Sequence, residues 1–213
     1  MIIRHSEIHN PKSSMPLRLQ NFHGSELSPH LDALGCLRIA VFREYPYLYE
    51  GSLEYERDYL RTYLNSPQSL VVLAFAGAEI VGATTCLPMC DEEPEFHQAF
   101  VKAGYDISSI CYFGESILLP EYRGHGIGKE FFARREAHAR ALPEIKLTTF
   151  CAVDRPEDHP LRPAGYRPLD AFWLKQGYTK HPELQATFVW KEIGEDDESP
   201  KTLTFWVHAL TPE

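Results

Sequence analysis

At 213 residues the chain has the size of one domain and enough length to bury a substantial core. Hydrophobic residues make up 44% and charged residues 24%, and 30 acidic against 21 basic side chains give a formal charge of −9. That balance argues against a nucleic-acid partner, which needs clustered Lys and Arg, and suits a cationic substrate.

Residues 1–14 read as a polar lead-in ahead of a single domain over 15–213. Leu17-Arg18-Leu19-Gln20-Asn21-Phe22 alternates apolar and polar residues, the period of a short strand. Ser28-Pro29 opens a helix on which Leu31, Leu34, Leu37 and Val41 recur at helical spacing, and Pro46 stops it. Ser52 caps a second helix ending near Asn65-Ser66-Pro67. Ser69 to Ala76 and Ala78 to Leu87 are apolar runs separated by Gly77, an antiparallel hairpin. Asp91 to Gly104 reads as a helix with acidic residues in its first turn. Ile110 to Leu119 reads as one strand stopped by Pro120, and Gly126 to Leu142 as a helix ended by Pro143. Ile145 to Val153 is a strand, and the proline-rich Asp154 to Arg167 a stiff loop. Leu169 to Gln176 is a short helix, and Ala186 to Ile193 and Thr202 to Ala209 are the last strands. This order gives a mixed α+β or α/β sheet with a crossover helix between central strands.

No run approaches the roughly 18 apolar residues of a membrane span, and Met1 to Ser14 lacks a signal-peptide core. Cys36, Cys86, Cys90, Cys111 and Cys151 are scattered, and no second pair completes a zinc pattern around Cys86 and Cys90. A cytoplasmic protein with reduced thiols, no metal and no membrane partner is expected.

Chemistry concentrates in Pro120-Glu121-Tyr122-Arg123-Gly124-His125-Gly126-Ile127-Gly128, where a strand ends and a helix begins. Unpaired amides and the helix dipole attract anions there, glycines let a phosphate approach, and Arg123 adds charge. A Walker loop fails because Glu130, not Ser or Thr, follows Gly128-Lys129. A dinucleotide fingerprint fails because the spacing is Gly-x-Gly-x-Gly.

The segment resembles motif A of the GNAT N-acyltransferase superfamily, Arg/Gln-x-x-Gly-x-Gly/Ala, with Arg123, Gly126 and Gly128 on its defining positions. Phe172-Trp173-Leu174-Lys175-Gln176-Gly177-Tyr178 resembles the family's motif B. The element order from Leu17 onward is also similar. The resemblance implies a central, mostly antiparallel mixed sheet of about seven strands, flanked by helices and splayed at an acetyl-CoA site. It implies that the pantetheine arm lies along the backbone of Ile117, Leu118 and Leu119. The pyrophosphate then sits on Arg123, Gly124, His125, Gly126, Ile127, Gly128 and Lys129, with Trp173 of motif B beside the co-substrate.

Acyl transfer to an amine needs a base to take the ammonium proton and a donor for the departing thiolate. Glu115 is the candidate base. It lies in an apolar strand, where a carboxylate is partly desolvated and becomes a usable proton acceptor. By alternation it shares a face with Phe113, Ile117 and Leu119. The alternative is a structural contact, with Arg134 or Arg135 as partner. Many family members carry a Tyr four residues before the motif B glycine, where this chain has Trp173; an indole N–H can donate to sulfur but does not titrate. Tyr166 and Tyr178 flank that helix and are candidates for the acid, or else core or rim aromatics. Cys151 reads as a covalent acyl carrier or, from its apolar neighbours, a core thiol.

Tyr45-Pro46-Tyr47-Leu48-Tyr49-Glu50 reads as an aromatic, acid-tipped wall for an amine with an apolar or aromatic body, or as a packed lid. Glu157, Asp158 and His159 of the following loop are further acceptor-side candidates. The expected activity is N-acetylation of a small-molecule primary amine. Acetylation of a protein or peptide amine, and a non-catalytic acyl-CoA-binding module, are the alternatives. The two C-terminal strands offer an edge through which a homodimer could pair.

Overall fold

Eight strands pair into one mixed sheet in the computed structural model, which describes residues 17–210. The lead-in expected over 1–14 lies outside the described residues. β1 (Leu17–Phe22) runs antiparallel to β2 (Leu70–Ala76), and β2 to β3 (Glu79–Pro88). Gly77, at φ +62°, makes the turn between paired Ala76 and Glu79. β3 then pairs with β4 (Ile110–Tyr112), which lies parallel to β6 (Leu147–Val153). β8 (Ser199–Ala209) joins β6 antiparallel, and β7 (Thr179–Trp190) closes the sheet as its outer strand.

Helices cover both faces, which explains why β2 is buried along its whole length and apolar at every position. α1 (Leu31–Phe42), α2 (Leu53–Asn65) and α3 (Pro94–Lys102) pack on one face through Leu34, Leu37, Leu60, Tyr63 and Phe100. α4 (Ile127–Ala141) and α5 (Asp170–Lys175) cover the other through Phe131, Phe132, Phe172 and Trp173. Among the described residues no helix is long and apolar enough to cross a membrane.

Three elements differ from their sequence-based expectation. Ile110 to Leu119 is two strands: β4 is followed by β5 (Ser116–Leu118), which pairs only with β3. The break falls at Gly114, where a Cβ would stand 2.0 Å from the Tyr63 hydroxyl oxygen and 2.7 Å from Thr85 Oγ1. A side chain cannot fit there, and the chain bulges. The bulge also overturns the expected alternation. Phe113 packs under α4 and Ile117 under the opposite helices, so Glu115 does not share a face with Phe113.

The helix expected from Asp91 is interrupted: Met89–Asp91 is a single 3-10 turn, and Glu92 and Glu93 lie outside any helix. Pro94 takes the first helical position and holds Glu93 extended at φ −66°, ψ 154°, so the helix begins late and Glu92 turns inward, buried. β7 begins at Thr179, well before the expected Ala186, with a register shift between His181 and Gln185. Pro182 falls inside that shift, and a proline in a bulged edge strand hides the period-two pattern.

Candidate active site

The glycine turn forms the cradle its composition predicts. Gly124 (φ +83°) and Gly126 (φ +84°) are left-handed, with open space where a Cβ would stand. Gly126 caps α4, and its carbonyl accepts from Lys129 N at 3.0 Å and Glu130 N at 3.2 Å. The amides of Gly124 to Gly128 find no main-chain acceptor among the described residues. Five outward amides at the start of a four-turn helix are a fit for an anion such as a pyrophosphate. Lys129 is exposed beside them. His125 is braced through Nδ1 on the Tyr122 carbonyl at 3.3 Å. A Cβ on Gly128 would meet the Phe172 ring at 3.4 Å, so this glycine also lets α5 close against the start of α4.

Arg123 does not point into the cradle. Its Nε donates to the Leu118 carbonyl at 2.9 Å and its Nη2 to Glu44 at 3.0 Å, tying the turn to the end of α1.

Behind the cradle the sheet splits. Phe113 N donates to Thr149 O at 2.7 Å, the last bond between this segment and β6. β5 then follows β3 while β6 follows β8. Leu119 N donates to Val81 O at 2.9 Å, and Thr85 N to Glu115 O at 3.1 Å. By antiparallel alternation Glu115, Ile117 and Leu119 direct their main-chain groups at β3, leaving Ser116 and Leu118 facing the gap. Of the three residues expected along the pantetheine arm, Ile117 and Leu119 thus turn their main-chain groups to β3, and Leu118 turns its own to the gap, with its carbonyl already accepting from Arg123 Nε at 2.9 Å.

Ser116 of β5 is preceded by Glu115, which joins a buried cluster of charged and aromatic groups, called the chamber below. Glu115, 3% exposed, is its centre. One oxygen accepts from Arg38 and, at 2.8 Å, from the Tyr59 hydroxyl; the other accepts from Thr85 Oγ1 at 2.5 Å. Arg38 also donates to Glu56 and lies 4.2 Å over the Tyr59 ring. Burial pulls the Arg38 pKa down, but Glu115, Tyr59 and Glu56 more than reverse this and hold it well above the ordinary value. Neither arginine expected beside Glu115 reaches its carboxylate. Arg134 pairs with Glu130 at 2.8 Å, and Arg135 approaches only the Glu115 main-chain oxygen, at 3.4 Å.

The remaining candidates separate clearly. Tyr178 is 1% exposed beneath Phe132 and Phe150, with its hydroxyl on Thr148 Oγ1 at 2.7 Å and burial raising its pKa. It is a core residue on the α4 face, and the structure does not bring it to the cluster around Glu115. Trp173 is half-buried, stacked edge-on against Phe150 and Trp206 at 5.1 Å each. Tyr166 lies in the proline-rich loop, edge-on to Tyr45 at 4.7 Å, and burial raises its pKa. Cys151 faces the chamber, 3.3 Å from the Tyr112 hydroxyl, and burial pushes its thiol up to about 12, which argues against a nucleophilic thiolate.

Tyr45 to Gly51 roofs the chamber. Glu50 N donates to Lys191 O at 2.9 Å and Ile193 N to Leu48 O at 2.8 Å, so the connection extends the sheet beyond β7. Arg155 fastens it through the Pro46 carbonyl at 2.6 Å, the Tyr47 carbonyl at 3.1 Å and an ion pair with Glu192. Among Glu157, Asp158 and His159, only His159 reaches this roof, 5.6 Å from the Tyr45 ring.

Sequence reasoning missed Arg38, Glu56 and Glu92. Glu56 stands on an amphipathic helix where a charge reads as surface, and Arg38 is the lone basic residue of an apolar one; only helix packing shows that both turn inward. Glu92 carried one usable signal, its place two residues before Pro94.

A family model described as Acetyltransferase (GNAT) family matches residues 37–163. No protein of curated function matches the chain in sequence. Solved structures share the fold at low identity. An acetyltransferase from Thermus thermophilus is 19% identical, with 91% of this chain and 97% of that chain covered and a TM-score of 0.53. The ribosomal-protein-alanine N-acetyltransferase of Brucella melitensis is 16% identical, covering 90% and 99%, at 0.57. GphF, a GNAT-like decarboxylase solved with isobutyryl-CoA, is 19% identical, covering 90% and 98%, at 0.58. With more than half its length matched by the family model, and with the amide cradle and split sheet in place, the chain belongs to the GNAT acetyltransferase family, an acyltransferase family that uses acyl-CoA.

Proposed function

We propose that the protein transfers an acetyl group from acetyl-CoA to the primary amine of a small molecule by direct attack. Three observations support the reading: five amides without a main-chain acceptor at the start of α4, the gap-facing amide of Leu118, and the buried acid-rich cluster around Glu115. In this proposal the cradle takes the pyrophosphate and Leu118 the pantetheine arm. Glu115, the sequence's candidate for the base, has both carboxylate oxygens occupied and serves to position Arg38 and Tyr59. The roof of Tyr45 to Gly51 favours a compact acceptor over a protein amine, because a peptide needs an open groove to thread.

Consumption of acetyl-CoA against a panel of amines, amino acids and peptides tests the assignment. Turnover confined to peptides overturns the small-molecule acceptor, and binding without turnover leaves a non-catalytic module. The cradle has its own test in Gly126→Ala. A left-handed alanine is strained by about 1–2 kcal/mol. The surrounding space is open, so the loop relieves that strain by moving its amides. Calorimetry is expected to show acetyl-CoA bound about tenfold more weakly, and unchanged affinity would remove the loop from the site.

A further inference from the structure

One group in the chamber has no partner that explains its burial. Glu92 is 6% exposed, yet its Oε1 meets no hydrogen-bond donor among the described residues. A buried carboxyl oxygen left unpaired is costly, and such groups persist where they have a use. The surrounding ionisable groups come from every wall of the chamber. They are Arg38 of α1, Tyr59 and Tyr63 of α2, Tyr112 of β4, Glu115 of the bulge, Cys151 of β6 and neighbouring Glu93.

The other two carboxylates are committed. Glu115 has every oxygen occupied. Glu56 also leaves Oε1 without a donor, but it is paired to Arg38 and wedged between helices, its Cβ 3.1 Å from where a Cβ on Gly35 would stand. Glu92 has no ion-pair partner among the described residues.

We infer that Glu92 is the group that takes the proton from the acceptor ammonium, which makes it a catalytic residue the family motifs do not locate. The inference rests on the proposed acetyl transfer to an amine. One ammonium proton passes to the Glu92 carboxylate, and the freed nitrogen lone pair forms the N–C bond to the acetyl carbon. The C–S bond breaks, the thiolate takes a second proton from the former ammonium nitrogen, and the third stays on the amide. Glu92 then releases its proton to water, so the turnover yields amide, free thiol and one proton. Burial first and Glu115 second push the Glu92 carboxyl up to about 8, a stronger base than an ordinary carboxylate.

The test follows wild type, Glu92→Gln and Glu92→Asp with acetyl-CoA and an amine panel headed by 2-phenylethylamine, alongside carbon-13 carboxyl NMR of glutamate-labelled free protein. Wild-type kcat/KM should rise with pH through a limb near 8, matched by an NMR resonance that Glu92→Gln removes. Glu92→Gln should lose about a hundredfold or more in kcat, with acetyl-CoA affinity by calorimetry unchanged. Glu92→Asp should keep a limb at a reduced rate. A glutamine variant within threefold of wild type, or one that keeps the limb, overturns the role of Glu92 alone. Titration of the assigned resonance in the ordinary carboxylate range overturns it as well. Wild type that does not bind acetyl-CoA, or binds it and acetylates no amine, overturns the proposed function and this inference together.

Discussion

Arg38→Leu is expected to lower the unfolding free energy by about 3–5 kcal/mol, read from urea denaturation at neutral pH. The leucine keeps much of the buried volume, so the loss comes from charge. Arg38 donates to both Glu56 and Glu115, and these carboxylates are 0% and 3% exposed. Without the guanidinium, two negative groups remain inside the protein with no cation beside them. Removing one partner of a buried ion pair is far more damaging than replacing the whole pair by apolar groups. Arg38→Leu combined with Glu115→Gln should therefore recover part of the stability lost by Arg38→Leu alone. A single variant within about 1 kcal/mol of wild type would show that the cluster is not a cohesive unit, since surface ion pairs contribute that little.

The second large effect concerns pH. The Glu92 carboxyl stands at about 8 in the folded protein against 4.5 for an ordinary glutamate, with burial as the main cause and the Glu115 charge next. Between those values the folded chain keeps a proton that the unfolded chain has lost. The contribution of Glu92 to stability is therefore most favourable below pH 4.5. It declines as pH rises towards 8, then levels off. The slope reaches about 1.4 kcal/mol per pH unit. Glutamine cannot ionise, so Glu92→Gln should match wild type near pH 4 and exceed it increasingly up to pH 8. Urea midpoints of both proteins, taken at half-unit steps, give the difference directly, free of other titrating groups common to both. A constant difference across the range would mean that the carboxyl at 92 does not change charge there.

Much of the fold was legible because its signals are local. The alternation of Leu17 to Phe22, the Ser52 cap and the Gly77 turn each declare their element within a few residues, and all three hold. The glycine spacing from Gly124 to Gly128 likewise declares an amide cradle, since its requirements are backbone conformation and an absence of side chains. What stayed hidden depends on neighbours distant in sequence. The break at Gly114 is imposed by Tyr63, fifty-one positions earlier, through a clash that no local pattern records. Glu115 reads as an isolated acid in an apolar run. Its meaning changes once α1 and α2 deliver Arg38 and Tyr59 to it. Tyr178, beside motif B, looked available for chemistry until the aromatic rings on the α4 face closed over it.

The split between β5 and β6 has a consequence for how this protein lives among others. A strand edge with unpaired amides and carbonyls is a template for sticky self-association, and proteins usually blunt such edges at the rim of a sheet. Here the unfinished edge at Ser116 and Leu118, its Leu118 carbonyl covered by Arg123, lies in the middle of the sheet, flanked by β3 on one side and by β6 and β8 across the gap. A foreign strand would have to force apart a sheet whose two halves are joined by β4. A single thin, extended chain can slip in without doing so. The edge is thus open to a slender chain while closed to the crowd of other polypeptides.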